Sequence, residues 1–207
     1  MPSKLTKGKA EANVESSVKA YDPLVFARAA GRIHEEGARQ YASEFLPTKA
    51  HVTKGVGGKA EGGTAEGVLA EAGAAQITRN TLEQLMDAKI LSPKEALALG
   101  RILTLFEAGS VSTDEVKRVS LEVYEELVQS KASPVAIALA GIARNSVQIA
   151  VKMHTEGEVN WWRVVGADLA GAGTGALAGS AGGPLGTIGG AIAGAVVASG
   201  GELAKSK

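Results

Sequence analysis

The residues able to do chemistry are few, and their spacing argues against a reaction centre. His34, His51 and His154 are scattered, and no two stand at metal-ligand spacing. His34-Glu35-Glu36 would need further ligands from elsewhere to hold a metal. We read it as a polar helix face carrying one histidine. Gly55-Val56-Gly57-Gly58-Lys59 has the look of a phosphate loop. Such a loop needs a glycine where Thr53 stands and a Ser or Thr where Ala60 follows the lysine, so a linker is the better reading. No serine sits in Gly-x-Ser-x-Gly, and Glu125-Glu126 reads as a solvated face. With no cysteine, thiolate metal sites, cysteine nucleophiles and disulfides are excluded. The expectation is a protein without catalysis, cofactor, metal or small-molecule substrate.

Composition narrows the partners. The 22 Lys+Arg and 22 Asp+Glu cancel, which argues against nucleic-acid binding through a general basic field. Aromatics are 4%, too few for a base-stacking surface or an aromatic cofactor pocket. Residues 1–20 are polar, bear lysines and lack an apolar centre, so no secretory signal peptide is expected. The expected location is a cytoplasmic start with association at the inner membrane, export by another route staying open.

The elements follow from periodicity and breakers. Residues 1–20 read as disordered. Asp22-Pro23 is a helix start, with an N-cap and a proline at the first helical position. Phe26, Ala30, Ile33, Gly37, Tyr41 and Phe45 then mark one apolar face, making 21–46 an amphipathic helix closed by Pro47. Residues 47–63 read as a flexible Gly/Lys linker. Residues 64–160 read as a helical bundle, with helices near 66–90, 93–108, 113–130 and 134–155. Within it Leu82, Leu85, Ala88, Leu91, Ser92, Glu95, Ala96 and Leu99 recur as Ile102, Leu105, Ala108, Val111, Ser112, Glu115, Val116 and Val119. Each Ser-x-x-Glu is a capping box in prospect.

Residues 164–201 hold 13 of the 27 glycines and one charge, Asp168. Gly171, Gly175, Gly179 and Gly183 step by four, as do Gly182, Gly186, Gly190 and Gly194. That step keeps them on one helix ridge, where another backbone can approach closely. Gly182-Gly183-Pro184 reads as a turn between arms at 164–181 and 185–201, each about 26 Å long. Helical glycine costs ~1 kcal/mol relative to alanine, so lipid or a partner surface must offset the sum. Trp161, Trp162 and Arg163 suit a membrane interface; the two tryptophans serve equally well as caps on a bundle core. Lysines and arginine flank the hairpin and none lies at its turn, which puts both ends in the cytosol.

The segment 169–197 resembles the glycine-zipper segments of bacterial membrane-associated proteins and of small pore-forming bacteriocins. The order of His34-Glu35-Glu36-Gly37, a Trp pair, Ala167-Asp168-Leu169-Ala170-Gly171 and a glycine-rich tail also resembles a loose group of small, uncharacterised bacterial proteins. The elements read above give an all-α fold, a small helical bundle with a C-terminal glycine-zipper hairpin at 161–203 and a short tail at 204–207, and the resemblance is consistent with it. The expected function is non-enzymatic: the hairpin enters a lipid membrane and self-associates as a homo-oligomer, for pore formation or for anchoring. The rival is a soluble interaction protein whose hairpin packs on the bundle or on other subunits.

Overall fold

Proline needs no amide partner at a first helical position, and α1 (Pro23–Phe45), α3 (Pro93–Glu107) and α5 (Pro134–His154) all begin on one. They belong to an all-α protein, seen in a computed structural model that describes residues 22–45, 79–107, 112–154 and 161–205. The remaining helices are α2, described over 79–87, α4 (Thr113–Gln129), α6 (Trp161–Gly179) and α7 (Gly183–Lys205). A single 3₁₀ turn, Ser180–Gly182, joins α6 to α7. No strand occurs among the described residues. The expected disorder of 1–20, the linker at 47–63 with Gly55–Lys59 and His51, and the start of the 66–90 helix lie outside the described residues.

The helix starts are capped much as the spacing predicts. Asp22 Oδ1 accepts from the Leu24 amide at 2.8 Å. At α3 the box is complete: the Glu95 amide donates to Ser92 Oγ at 3.3 Å, and the Ser92 amide donates to Glu95 Oε2 at 2.7 Å. At α4 it is half made. Ser112 Oγ accepts from the Glu115 amide at 3.2 Å, while the Glu115 carboxylate lies 3.7 Å from Arg118. Two helices end through a left-handed residue that is not glycine. Lys89 at φ 58° and Lys131 at φ 54° let the next amides, of Ile90 and Ala132, bond back to Leu85 and Leu127.

Glu95 does more than close its own helix. Its Oε1 accepts from the Ser133 amide at 2.5 Å, tying the start of α3 to the start of α5. Burial raises the carboxyl's pKa, but the donors from Ser92 and Ser133 outweigh it and hold the group below its ordinary value. A depressed folded-state pKa gives stability that is full above the unfolded pKa of about 4.3 and is lost as pH falls through the folded value. Glu95→Gln is therefore expected to cost about 1–2 kcal/mol at neutral pH, because the amide turns a donor toward a donor. Denaturant titrations should show that difference shrinking below about pH 4; a difference independent of pH would refute the assignment.

The core gathers round α5. Residues 135–143 are all buried, and α5 packs against α1, α3, α4, α6 and α7. Leu85 of α2, Leu99 and Ile102 of α3, and Val123 and Leu127 of α4 complete the bundle side. Small residues let α1 lie close on α5: a Cβ at Gly31 would fall under 3.0 Å from the Gly141 backbone. Asn145 secures the crossing, donating to the Gly31 carbonyl at 2.8 Å and to Glu35 Oε2 at 2.9 Å.

Candidate functional site

The glycine hairpin is built on backbone contact. α6 and α7 run antiparallel along their length. Gly171 faces Gly194, Gly175 faces Gly190 and Gly179 faces Gly186, and a Cβ at any of these six would come under 3.0 Å from the facing carbonyl oxygen. The two ridges thus meet each other inside one chain. Gly183 stands apart from the contact role expected for it. It has φ +67°, with nothing within 4 Å of its Cβ position, and serves the turn, where a left-handed residue is cheapest as glycine.

One side of this hairpin lies against the bundle. Ala172, Ala176, Ile188, Ala191, Ile192 and Ala195 join the same core as Ala27, Ala30 and α5. Gly37 of α1 carries Val196, whose Cγ2 stands 2.8 Å from where a Cβ would be. Three of the hairpin's hydroxyls are satisfied locally: Thr174 Oγ1 donates to the Ala170 carbonyl at 2.9 Å, Ser180 Oγ to that of Leu177 at 2.7 Å, and Thr187 Oγ1 to that of Gly183 at 2.8 Å.

At the open end of the hairpin sits a buried polar trio that sequence reasoning did not assemble. His34 of α1 is 0% exposed, Asp168 of α6 0% and Ser199 of α7 2%. The Ser199 hydroxyl donates to Asp168 Oδ1 in a short hydrogen bond, and His34 Nε2 lies 3.0 Å from Ser199 Oγ. With the serine proton given to the carboxylate, its oxygen accepts from His34 Nε2–H. Asp168 Oδ2 is 3.5 Å from the same nitrogen. His34 Nδ1 and Asp168 Oδ2 have no hydrogen-bond partner among the described residues. The polar-face reading of His34 is thereby corrected. His34 lies between Ile33 and Gly37 on the side of α1 turned to the hairpin, and burial there is what a histidine tolerates only with a partner.

Serine, histidine and aspartate together invite comparison with a hydrolytic triad, and the geometry differs on each count that matters. In such a triad the carboxylate holds one ring nitrogen and the hydroxyl faces the other. Here one nitrogen serves both, the hydroxyl proton points to the carboxylate, and all three groups are sealed from substrate. What the arrangement can do is fasten three helices in one register. Among the described residues no three of His, Cys, Asp and Glu come together to hold a metal.

The available signals for the trio were Asp168, the lone charge of its segment, and His34, spaced four from Ala30. Ser199 carried none. Trp161, Trp162 and Arg163 open α6, and their side chains lie outside the described ones, as does that of His154. Glu125 and Glu126 are exposed, with Glu126 paired to Arg101 at 2.6 Å. No protein-family model, curated protein or solved structure matches the chain.

Proposed function

We propose that this is a non-enzymatic membrane-associated protein whose glycine hairpin enters a lipid bilayer from a helical bundle that carries it. One observation bears most of the weight. Val164–Ser199 contains an 18-residue window of mean hydropathy 1.4, long and apolar enough to cross a membrane, and only 28% of that window is buried. The central helix α5 hides its apolar residues over 135–143; the hairpin leaves Val197 59% and Leu185 36% exposed, no more than Leu97 at 74% and Val25 at 65% on the outer bundle helices, so the low burial of the whole window carries the reading and not these side chains. The locally satisfied hydroxyls of Thr174, Ser180 and Thr187 and the absence of charge from 169 to 201 fit the same reading, because lipid offers no hydrogen bonds; Asp168 and Ser199, the polar residues at the span's open end, are bonded to each other. At ~1.5 Å per residue, the 19 residues of α6 reach ~28 Å, near the thickness of a bilayer core. Trp161, Trp162 and Arg163 would then sit at the headgroups on the cytoplasmic side. Self-association as a homo-oligomer, with pore formation or anchoring as its use, extends this proposal.

The second reading, a soluble interaction protein with its hairpin docked on the bundle, is favoured by a different observation: the buried trio and the alanine face of α6 and α7 already bind that hairpin to α1 and α5. Fractionation separates the two. Full-length protein should stay with carbonate-washed membranes. Thr174→Lys with Ala193→Lys should release it, since each places a charge on an exposed hairpin position, at about 2.5–3.5 kcal/mol per residue for insertion, without disturbing the packed form. Full-length protein recovered wholly soluble and monomeric without detergent would decide for the second reading.

A further inference from the structure

Beside the crossing of α1 and α5 lies a cleft of about 400 Å³ with an unusual electrostatic lining. Arg28 and Arg32 enter it from successive turns of α1, Arg144 from α5, and Tyr124 from α4. Arg144 is held over the Tyr124 ring, 5.3 Å from its centre, which braces the guanidinium at the wall of the cleft. The floor is the close contact of Gly31 with Gly141. None of the three arginines forms an ion pair among the described residues. The carboxylate of Glu35, one turn beyond Arg32, is taken by Asn145 at 2.9 Å and by Arg39 at 2.5 Å. Three other described arginines are in ion pairs: Arg39 with Glu35, Arg101 with Glu126, Arg118 with Glu122. Three guanidiniums without an ion pair thus line one concavity whose lining holds no acidic residue.

We propose that this cleft is a binding site for a phosphate group. Guanidinium forks match phosphate oxygens two by two, and a doubly charged anion answers several arginines better than a carboxylate does. The phosphate belongs either to a soluble ester or to a lipid headgroup, and the chemistry of recognition is the same for both. The proposal does not depend on insertion of the hairpin, since the cleft is lined by α1, α4 and α5 alone.

The test uses the full chain and two probes. Inorganic phosphate, at ionic strength matched with chloride, should raise the melting temperature in a saturable way. Vesicles of phosphatidylcholine with phosphatidic acid should bind more protein than phosphatidylcholine alone. Arg28→Gln with Arg32→Gln changes exposed side chains and should weaken whichever response is seen by about tenfold or more. Arg144→Lys keeps the charge, loses the fork and should weaken it less. Lys94→Gln with Lys117→Gln removes the same charge away from the cleft and should leave the response intact. A phosphate response lost in the arginine variant, with vesicle binding no greater for phosphatidic acid than for phosphatidylcholine alone, assigns a soluble ester. A response to vesicles alone, lost in the same variant, assigns a headgroup. If neither probe separates the arginine variant from the lysine variant, or phosphate acts no differently from chloride, the proposal fails. Loss of carbonate-resistant membrane retention with the phosphate response intact would instead count against the membrane reading.

Discussion

Gly175→Ala and Gly190→Ala are each expected to destabilise the fold by about 3 kcal/mol, while Gly189→Ala, next door, is expected to stabilise it by about 1 kcal/mol. The three substitutions add the same methyl group to the same kind of helix. At Gly175 and Gly190 that methyl would come under 3.0 Å from the other helix's carbonyl, and the obstacle is backbone, which has no rotamer to change. The two helices must then move apart along their length, loosening the Gly171 and Gly179 contacts as well. At Gly189 nothing lies within 4 Å, so only the helix propensity of alanine remains. Denaturant unfolding of the three variants measures the differences directly. A Gly175→Ala protein as stable as the parent would mean that the helices do not touch there.

A comparable loss, about 3–5 kcal/mol, should follow removal of a single partner from the buried trio, as in His34→Ala, which leaves the Asp168 carboxylate with Ser199 alone. Replacing the set together, His34→Leu with Asp168→Leu and Ser199→Ala, should cost far less or even stabilise, because two orphaned polar atoms disappear with it. That pair of outcomes would make the trio a poor source of net stability and a source of specificity. It rewards one placement of α1 on the hairpin and penalises others. Single variants adding up to the triple would show that the three residues do not act as a unit.

What could be read from sequence, and what could not, divides along physical lines. Capping is local, so Asp22, Ser92, Glu95 and Ser112 disclosed their helix starts. Periodicity disclosed part of the apolar face of α1: Ala30 is buried and Phe26 and Ile33 pack on the core, while Ala27, His34 and Ala38, buried as well, lie off the expected stripe. The glycine steps of four disclosed two ridges able to approach another backbone. Which backbone they approach is a tertiary fact. Gly175 is equally suited to Gly190 of its own chain and to another subunit, and only the short Ser180–Gly182 turn brings the former within reach. Asp168 and Ser199 are 31 residues apart, and His34 is 165 from Ser199. No spacing rule reaches across such separations. The arginine cleft was hidden for the same reason: Arg28 and Arg32 share a helix face, but Arg144 joins them only because Gly31 and Gly141 let two helices cross in contact.

The step of four also makes the hairpin an indexed slide. Were α7 to move by four residues, about 6 Å, relative to α6, Gly190 would come opposite Gly179 and Gly194 opposite Gly175, again glycine on glycine, with Ala198 opposite Gly171. A shift by one residue is different in kind. One residue added at the turn would rotate α7 by about 100° and bring Leu185 against Gly179 and Ala193 against Gly171. The hairpin therefore has discrete settings separated by blocked ones. Its tip, exposed as it is, should accept insertions only in multiples that preserve the ridge, unlike an ordinary surface loop.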